Sequence, residues 1–198
     1  MYEGVDTVVL YDELAYEDLL PIAWKPLSGP LDAGTASSFQ DRNLRLLQAC
    51  AAIEEHAGTE KQDEPSPNAA DIARMDLKIN LILDLVGQLV AASQQRPAAV
   101  AVRFNARGAE WTMPGRALPA GSQGVLELFI RDCLPQPLAL PAEVVASTDG
   151  QIKARFLSPG EPVANLIEKL AFRRHRRRVA GVRQPARRST ETLPEPEP

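Results

Sequence analysis

Six apolar residues spaced three and four apart constrain this chain most: Ile72, Met75, Ile79, Ile82, Val86 and Leu89. On a helix that spacing lays all six along one stripe, the a and d positions of a heptad repeat. With Ile72 at a, the a positions are Ile72, Ile79 and Val86, and the d positions are Met75, Ile82 and Leu89. β-branched residues at a with Leu at d favour dimers, whereas Ile at both moves the preference toward trimers or tetramers. Leu83 and Val90 widen the stripe at e, and Leu85 widens it at g, as a core of four helices needs. The pattern predicts a coiled-coil helix over residues 69–94 and an assembly built on it. Its competitor is a single helix buried inside a globular core.

The rest of the chain divides around this helix. Its 198 residues allow one domain with an appendage. Residues 1–36 form an acidic segment with apolar anchors at Leu19, Leu20, Ile22 and Trp24. Pro21 and Pro26 disfavour a helix there. An extended strip is expected, packed through Trp24 on a neighbouring element. Residues 37–57 read as a helix capped by Ser37 or Ser38, with Leu44, Leu47 and Ala51 near one face. Residues 58–68 are polar, carry two prolines and read as a linker.

After Pro97 the apolar period changes to two. Val100, Val102 and Phe104 alternate, as do Ala109, Trp111 and Met113. Further short runs surround Leu126, Leu140 and Ile152, with Gly-containing turns between them. Some five antiparallel strands follow, one bent at Pro141, which makes a small barrel or sandwich the economical reading. A last helix begins after Pro162, with Val163, Leu166 and Leu170 on its apolar face and Ile167 and Phe172 beside it. It ends in Arg173-Arg174-His175-Arg176-Arg177-Arg178, and residues 181–198 read as a disordered tail. The fold class expected is α+β.

Charge is unevenly spread. Residues 1–66 carry 13 acidic and 4 basic side chains, while residues 151–188 carry 2 acidic and 11 basic ones. The two blocks could pair with each other, the basic one could face an anion, or both could simply be solvated. An Arg-rich end also suits non-specific nucleic-acid attraction, but no aromatic residues interleave with the arginines. Cys50 and Cys133 have no motif around them, and His56 and His175 stand alone, so neither a disulfide nor a metal centre is expected. No phosphate-binding Gly loop or nucleophile elbow occurs, so an enzyme is not expected. Apolar runs fall far below about 18 residues, and no secretory leader is visible. A cytoplasmic protein without a membrane span is the expectation.

The order of elements, with Leu20-Pro21-Ile22-Ala23-Trp24 first and Phe172-Arg173-Arg174-His175-Arg176-Arg177 last, resembles the atypical, tetrameric branch of the PilZ domain family. The local marker is Val102-Arg103-Phe104-Asn105-Ala106-Arg107-Gly108-Ala109-Glu110-Trp111. The resemblance implies a six-stranded PilZ barrel with a C-terminal helix, carried on helices that assemble four chains through a parallel coiled coil. It also implies a receptor or adaptor role in cyclic di-GMP signalling, with cyclic di-GMP as a ligand and an unidentified protein as a further partner. A scaffold that binds no nucleotide is the alternative.

The family's ligand motif pairs Arg-x-x-x-Arg before the barrel with Asp/Asn-x-Ser-x-x-Gly on the first hairpin. Arg forks match phosphate oxygens and the guanine O6/N7 edge. Here Gly108 matches, Asn105 stands where Ser is expected, Arg103 stands where Asp or Asn is expected, and Arg96 is a single Arg before the barrel. Arg103 and Arg107 would share a face if the strand stays extended. Arg173 and Arg177 lie one helical turn apart. The candidate nucleotide contacts are therefore Arg96, Arg103, Asn105, Arg107, Gly108, Arg173 and Arg177.

Overall fold

In the computed structural model, which describes residues 14–56, 68–93, 96–115 and 118–183, the alternating apolar residues close into a six-stranded antiparallel barrel. The strands are β1 (Tyr16–Pro26), β2 (Ala99–Phe104), β3 (Gly108–Thr112), β4 (Gln123–Leu128), β5 (Leu138–Thr148) and β6 (Gln151–Phe156). Their order around the barrel is β1-β2-β3-β6-β5-β4. Three helices accompany them: α1 (Ala33–His56), α2 (Ala69–Ser93) and α3 (Glu161–Arg183).

β1 closes the barrel by pairing on both sides. Residues 16–21 pair with β2, and residues 22–26 pair with β4. Pro21 sits at the hand-over. Its carbonyl accepts from the Phe129 amide at 3.1 Å, so its nitrogen faces β4 one position beyond the last pair, where the missing N–H weakens only the end of that ladder. The barrel therefore begins at Tyr16 and not at residue 97, and the strip expected to pack on a neighbouring element is a strand of the barrel. This supplies the sixth strand.

The interior is continuous. Leu20, Ile22 and Trp24 of β1 meet Phe104, Trp111, Leu126, Leu138, Leu140 and Ile152, all buried. Trp24 stacks on Trp111 with ring centroids 5.9 Å apart. A Cβ at residue 124 would lie 2.4 Å from the Trp24 ring, so Gly124 gives that indole its room. The irregularity of β5 falls between Val144 and Ala146, not at Pro141. The Pro141 carbonyl accepts from Leu157 N, so its nitrogen faces β6 one position beyond the last pair, where the missing N–H weakens only the end of that ladder.

α1 begins four residues before the expected Ser37 cap. The Asp32 carboxylate accepts from the Thr35 amide at 2.9 Å and the Thr35 hydroxyl at 2.6 Å, which caps the helix. The Thr35 hydroxyl bond, with the amide bond behind it, holds the Asp32 carboxyl below its ordinary range. α1 lays Leu46, Leu47 and Cys50 on the barrel. Its Asn43 side chain acts as an extra strand residue, donating to Ala139 O at 2.7 Å and accepting from Ala139 N at 2.9 Å. α3 tolerates Pro162 because an amide in the first turn has no helical partner to lose. It buries Val163, Ile167, Leu170 and Ala171. It continues through Arg183, past the start of the expected tail. Residues 184–198, like residue 57 of the expected helix and residues 58–67 of the expected linker, lie outside the described residues.

α2 is different. It spans Ala69–Ser93, close to the expected range, but the chain's own core does not cover its heptad stripe. Ile79 is 50%, Ile82 57% and Leu89 71% exposed. The helix touches the barrel near its end, where Gly87 lies against the β4–β5 loop and a Cβ would fall 2.8 Å from Cys133 Cα. Among the described residues no helix is long and apolar enough to cross a membrane.

Candidate functional site

The turn between β2 and β3 is built by two of the candidate residues. Asn105 is buried, and its side-chain oxygen accepts from Arg107 N at 2.8 Å and Gly108 N at 3.1 Å. Its own amide donates to Gly108 O at 3.0 Å. This side-chain-to-backbone turn ends the strand at Phe104. Gly108 is needed for close approach, because a Cβ there would lie 2.4 Å from Ala154 O on β6. Asn105 and Gly108 thus shape the turn, and Arg107 is carried outward on it, exposed.

A groove of about 670 Å³ opens between this turn and α3. The turn contributes Asn105 and Arg107; α3 contributes Asn165, Glu168, Lys169, Phe172 and Arg173. Leu14, just before β1, lies at its edge. The α3 residues are spaced i, i+3, i+4, i+7 and i+8, one face of a helix. Phe172, expected beside the core, is 52% exposed and lines the groove instead. Three cationic side chains and one carboxylate meet there, beside an aromatic ring. Arg176 lies over that ring, 6.0 Å from its centroid.

Arg103 is not part of this groove. The expectation that it shares a face with Arg107 fails because the Asn105 turn interrupts the extended strand between them. Arg103 sits in a charge ladder across four strands, where the register pairs Glu17 with Arg103, Arg103 with Glu110, and Glu110 with Lys153. Arg103 Nε lies 3.4 Å from Glu17, and Lys153 Nζ lies 3.9 Å from Glu110. Alternating charges on neighbouring strands support the sheet.

α3 adds to this ladder from above. Arg178 reaches Glu17 at 2.5 Å, and Arg174 reaches Asp18 at 2.6 Å. The bond from Arg178 holds the Glu17 carboxyl below its ordinary range. Tyr16 lies under Arg174, and burial, assisted by the Asp18 charge, pushes its phenol up to about 12. Part of the basic C-terminal block therefore pairs with acidic residues of β1 in the same chain. Arg177 is exposed on α3 and does not line the groove.

Arg96 is also elsewhere. It donates to Asp132 O at 3.3 Å and Leu134 O at 3.1 Å, pairs with Asp132 Oδ1 at 3.4 Å, and stacks over Phe129. It holds the β4–β5 loop where α2 meets the barrel. Of the seven candidates, the structure brings together Asn105, Arg107, Gly108 and Arg173. It separates Arg96, Arg103 and Arg177 from them. Sequence reasoning missed Asn165, Lys169 and the placement of Phe172. Among the described residues no group of three His, Cys, Asp or Glu side chains could hold a metal ion.

The second candidate surface is the seam of α2. Ile72, Met75, Ile79, Ile82, Val86 and Leu89 are all exposed along one side of the helix. Contiguous apolar surface of this kind marks an interaction site in a folded chain.

No curated protein sequence matches the chain. Among solved structures, a tetrameric PilZ domain of a pathogenic protein from Xanthomonas campestris, described as self-assembled through an unusual helical bundle, is similar. It shares 31% sequence identity with a TM-score of 0.66, and the match covers 87% of this chain and 94% of that one. The family described as atypical PilZ domain, cyclic di-GMP receptor, matches residues 47–184. With the closed six-stranded barrel and its C-terminal helix, these matches place the chain in the atypical PilZ domain family.

Proposed function

We propose that this chain is a non-enzymatic receptor or adaptor of bacterial cyclic di-GMP signalling, working in the cytoplasm as a homotetramer joined through α2. The observation that carries the reading is the uncovered heptad stripe. Six large apolar side chains on one helix face water in the single chain, and burying each would contribute about 1.5–3 kcal/mol. The related Xanthomonas protein forms a tetramer through a helical bundle, which supports the same use of the stripe here. Four barrels on one bundle would engage a partner multivalently, in the control of motility or virulence.

The test is sedimentation. The intact chain is expected at four times the monomer mass. The double variant Ile79→Asp, Ile82→Asp places charges in the seam and is expected to sediment as a monomer; an unchanged mass would refute the assembly.

A second reading, a protein-interaction scaffold without a nucleotide, is favoured by one observation. Asn105, Gly108 and Arg96 serve the fold itself, holding the hairpin turn and the β4–β5 loop. Calorimetric titration of the intact tetramer with cyclic di-GMP at two salt concentrations separates the readings. Saturable heat supports the receptor, and none at either salt supports the scaffold.

A further inference from the structure

We propose that the pocket between α1, β4 and the β4–β5 loop is a docking site for an acidic peptide segment of a partner protein, with Arg42 receiving its carboxylate. The inference rests on the scaffold reading above and names the chemistry of the partner.

The pocket has a volume of about 310 Å³, and its charges can be followed pair by pair. Lys25 of β1 binds Glu127 of β4 at 2.8 Å. Arg96 is taken up by Asp132 and by the loop carbonyls. Arg42 of α1 is the cation left over. Its Nε is shut off from solvent without a hydrogen-bond partner, and among the described residues no carboxylate or carbonyl engages its guanidinium. A buried donor left unmet is uncommon and costs stability.

Three features select the ligand. One uncompensated cation calls for one negative charge, and the guanidinium fork matches a carboxylate. A doubly charged phosphate would meet the Glu127 carboxylate in the same pocket as a repulsive neighbour. Beside Arg42, the Phe129 ring lies under Arg96, 5.2 Å from its centroid, and forms an apolar wall with Pro135 and Pro137. Aromatic and proline surface of this kind receives extended, Pro-rich segments at low entropic cost. The pocket opens past Lys25, whose side chain is 66% exposed, so a chain can enter and leave along the barrel. A small free carboxylate uses the cation and leaves the wall bare. An apolar peptide uses the wall and leaves the cation unmet. An acidic segment with apolar neighbours uses both.

The walls are in place before a partner arrives, which lowers the cost of binding. Arg42 precedes Asn43, which is buried and bonded to the Ala139 backbone through both of its side-chain polar atoms, so that turn of α1 is fixed on β5. Arg96 fixes the loop that carries Pro135. In the proposed tetramer the pocket occurs four times, and weak single contacts add.

The experiment is calorimetric titration of the full chain with the peptide acetyl-Leu-Pro-Glu-Pro-Leu-amide, with the same peptide carrying Gln in place of Glu, and with sodium acetate. Saturable heat is expected with the Glu peptide, and binding about tenfold weaker with the Gln peptide. Arg42→Gln is expected to lower the Glu peptide to the Gln value without lowering the melting temperature, since no internal bond is lost. Arg45→Gln, which removes an exposed α1 cation outside the pocket, should behave like wild type. Equal binding of the two peptides by wild type, a comparison that needs no variant to fold, overturns the inference. So does a Glu preference that survives Arg42→Gln. Acetate bound as tightly as the Glu peptide assigns the pocket to a small carboxylic acid and overturns the peptide partner. No heat with any probe overturns the site, and the scaffold is then judged on sedimentation alone.

Discussion

The barrel and α2 are made from the same kinds of residue and meet opposite fates. Leu126, Leu138, Leu140 and Ile152 are fully buried, whereas Leu81, Ile82, Leu85 and Leu89 are more than half exposed. The barrel closes on itself, so each strand finds its neighbours and its core within one chain. A lone helix has one apolar stripe and no second layer against which to bury it. The contrast teaches that burial follows from topology and not from composition. The barrel is complete within one chain, and α2 keeps an apolar stripe that the same chain leaves uncovered.

The largest effect should come from breaking the incomplete region. The Ile79→Asp, Ile82→Asp pair is expected to reduce the sedimented mass fourfold while Trp24 and Trp111 keep the emission of buried indoles. Water-like emission in that variant would show that the barrel depends on the bundle, and the contrast would collapse.

The opposite experiment attacks the barrel. Trp111→Ala removes the partner of Trp24 from the core and is expected to cost about 3–5 kcal/mol of stability, read by denaturant unfolding, with the mass of the folded assembly unchanged at moderate temperature. A smaller change sharpens the boundary between the barrel and its covering helices. Asn43→Ala leaves the Ala139 amide and carbonyl without side-chain partners inside the structure. A loss of about 1–3 kcal/mol is expected, and full retention of the melting point would show that water replaces both bonds.

The smallest effect is electrostatic and concerns pH. Glu17 has a lowered carboxyl pKa, first through its bond from Arg178. A depressed carboxylate pKa contributes stability above the unfolded value, near 4.5, and loses it as pH falls below that through the folded value. The C-terminal half of α3 should therefore loosen from β1 below about pH 4.5 and hold at neutral pH. Amide exchange over residues 174–183 measures this; Glu17→Gln should remove the pH dependence, and an unaltered profile would exclude the Arg178–Glu17 pair as its cause.

Sequence and structure agree where the determinants are local. The strands after Pro97 were legible because alternation is a short-range signal, and the α2 stripe was legible because heptads are. β1 was legible as extended but not as part of the barrel, since its pairing is decided far along the chain, where Tyr16 meets Phe104 and Trp24 meets Leu126. The α1 cap was misplaced because Ser37 and Ser38 are as good a local cap as Asp32. Phe172 fitted the spacing of a core residue, and only the tertiary placement of the β2–β3 turn shows that it faces a groove. Arg107 and Arg173 stood out as cations. Lys169 and Asn165 had a usable signal, one helix face at i and i+4, but no local rule says which loop sits above that face. Asn43 gave none, because its partners are backbone atoms of a distant strand.

β1 and β2 lie side by side in the barrel wall although some seventy residues separate them in the chain. The chain between these hydrogen-bonded neighbours leaves the barrel after Pro26 and returns at Ala99, with α1 and α2 on the excursion. Both ends of that excursion are pinned by the wall itself, so its length is free to change without retuning the barrel. Doubling a connecting segment adds only about 0.6 kcal/mol of closure entropy, and each heptad added to α2 would lengthen the arm by about 10 Å. In the proposed assembly, α2 would then act as an adjustable spacer, its number of heptads setting how far from the bundle each barrel is presented.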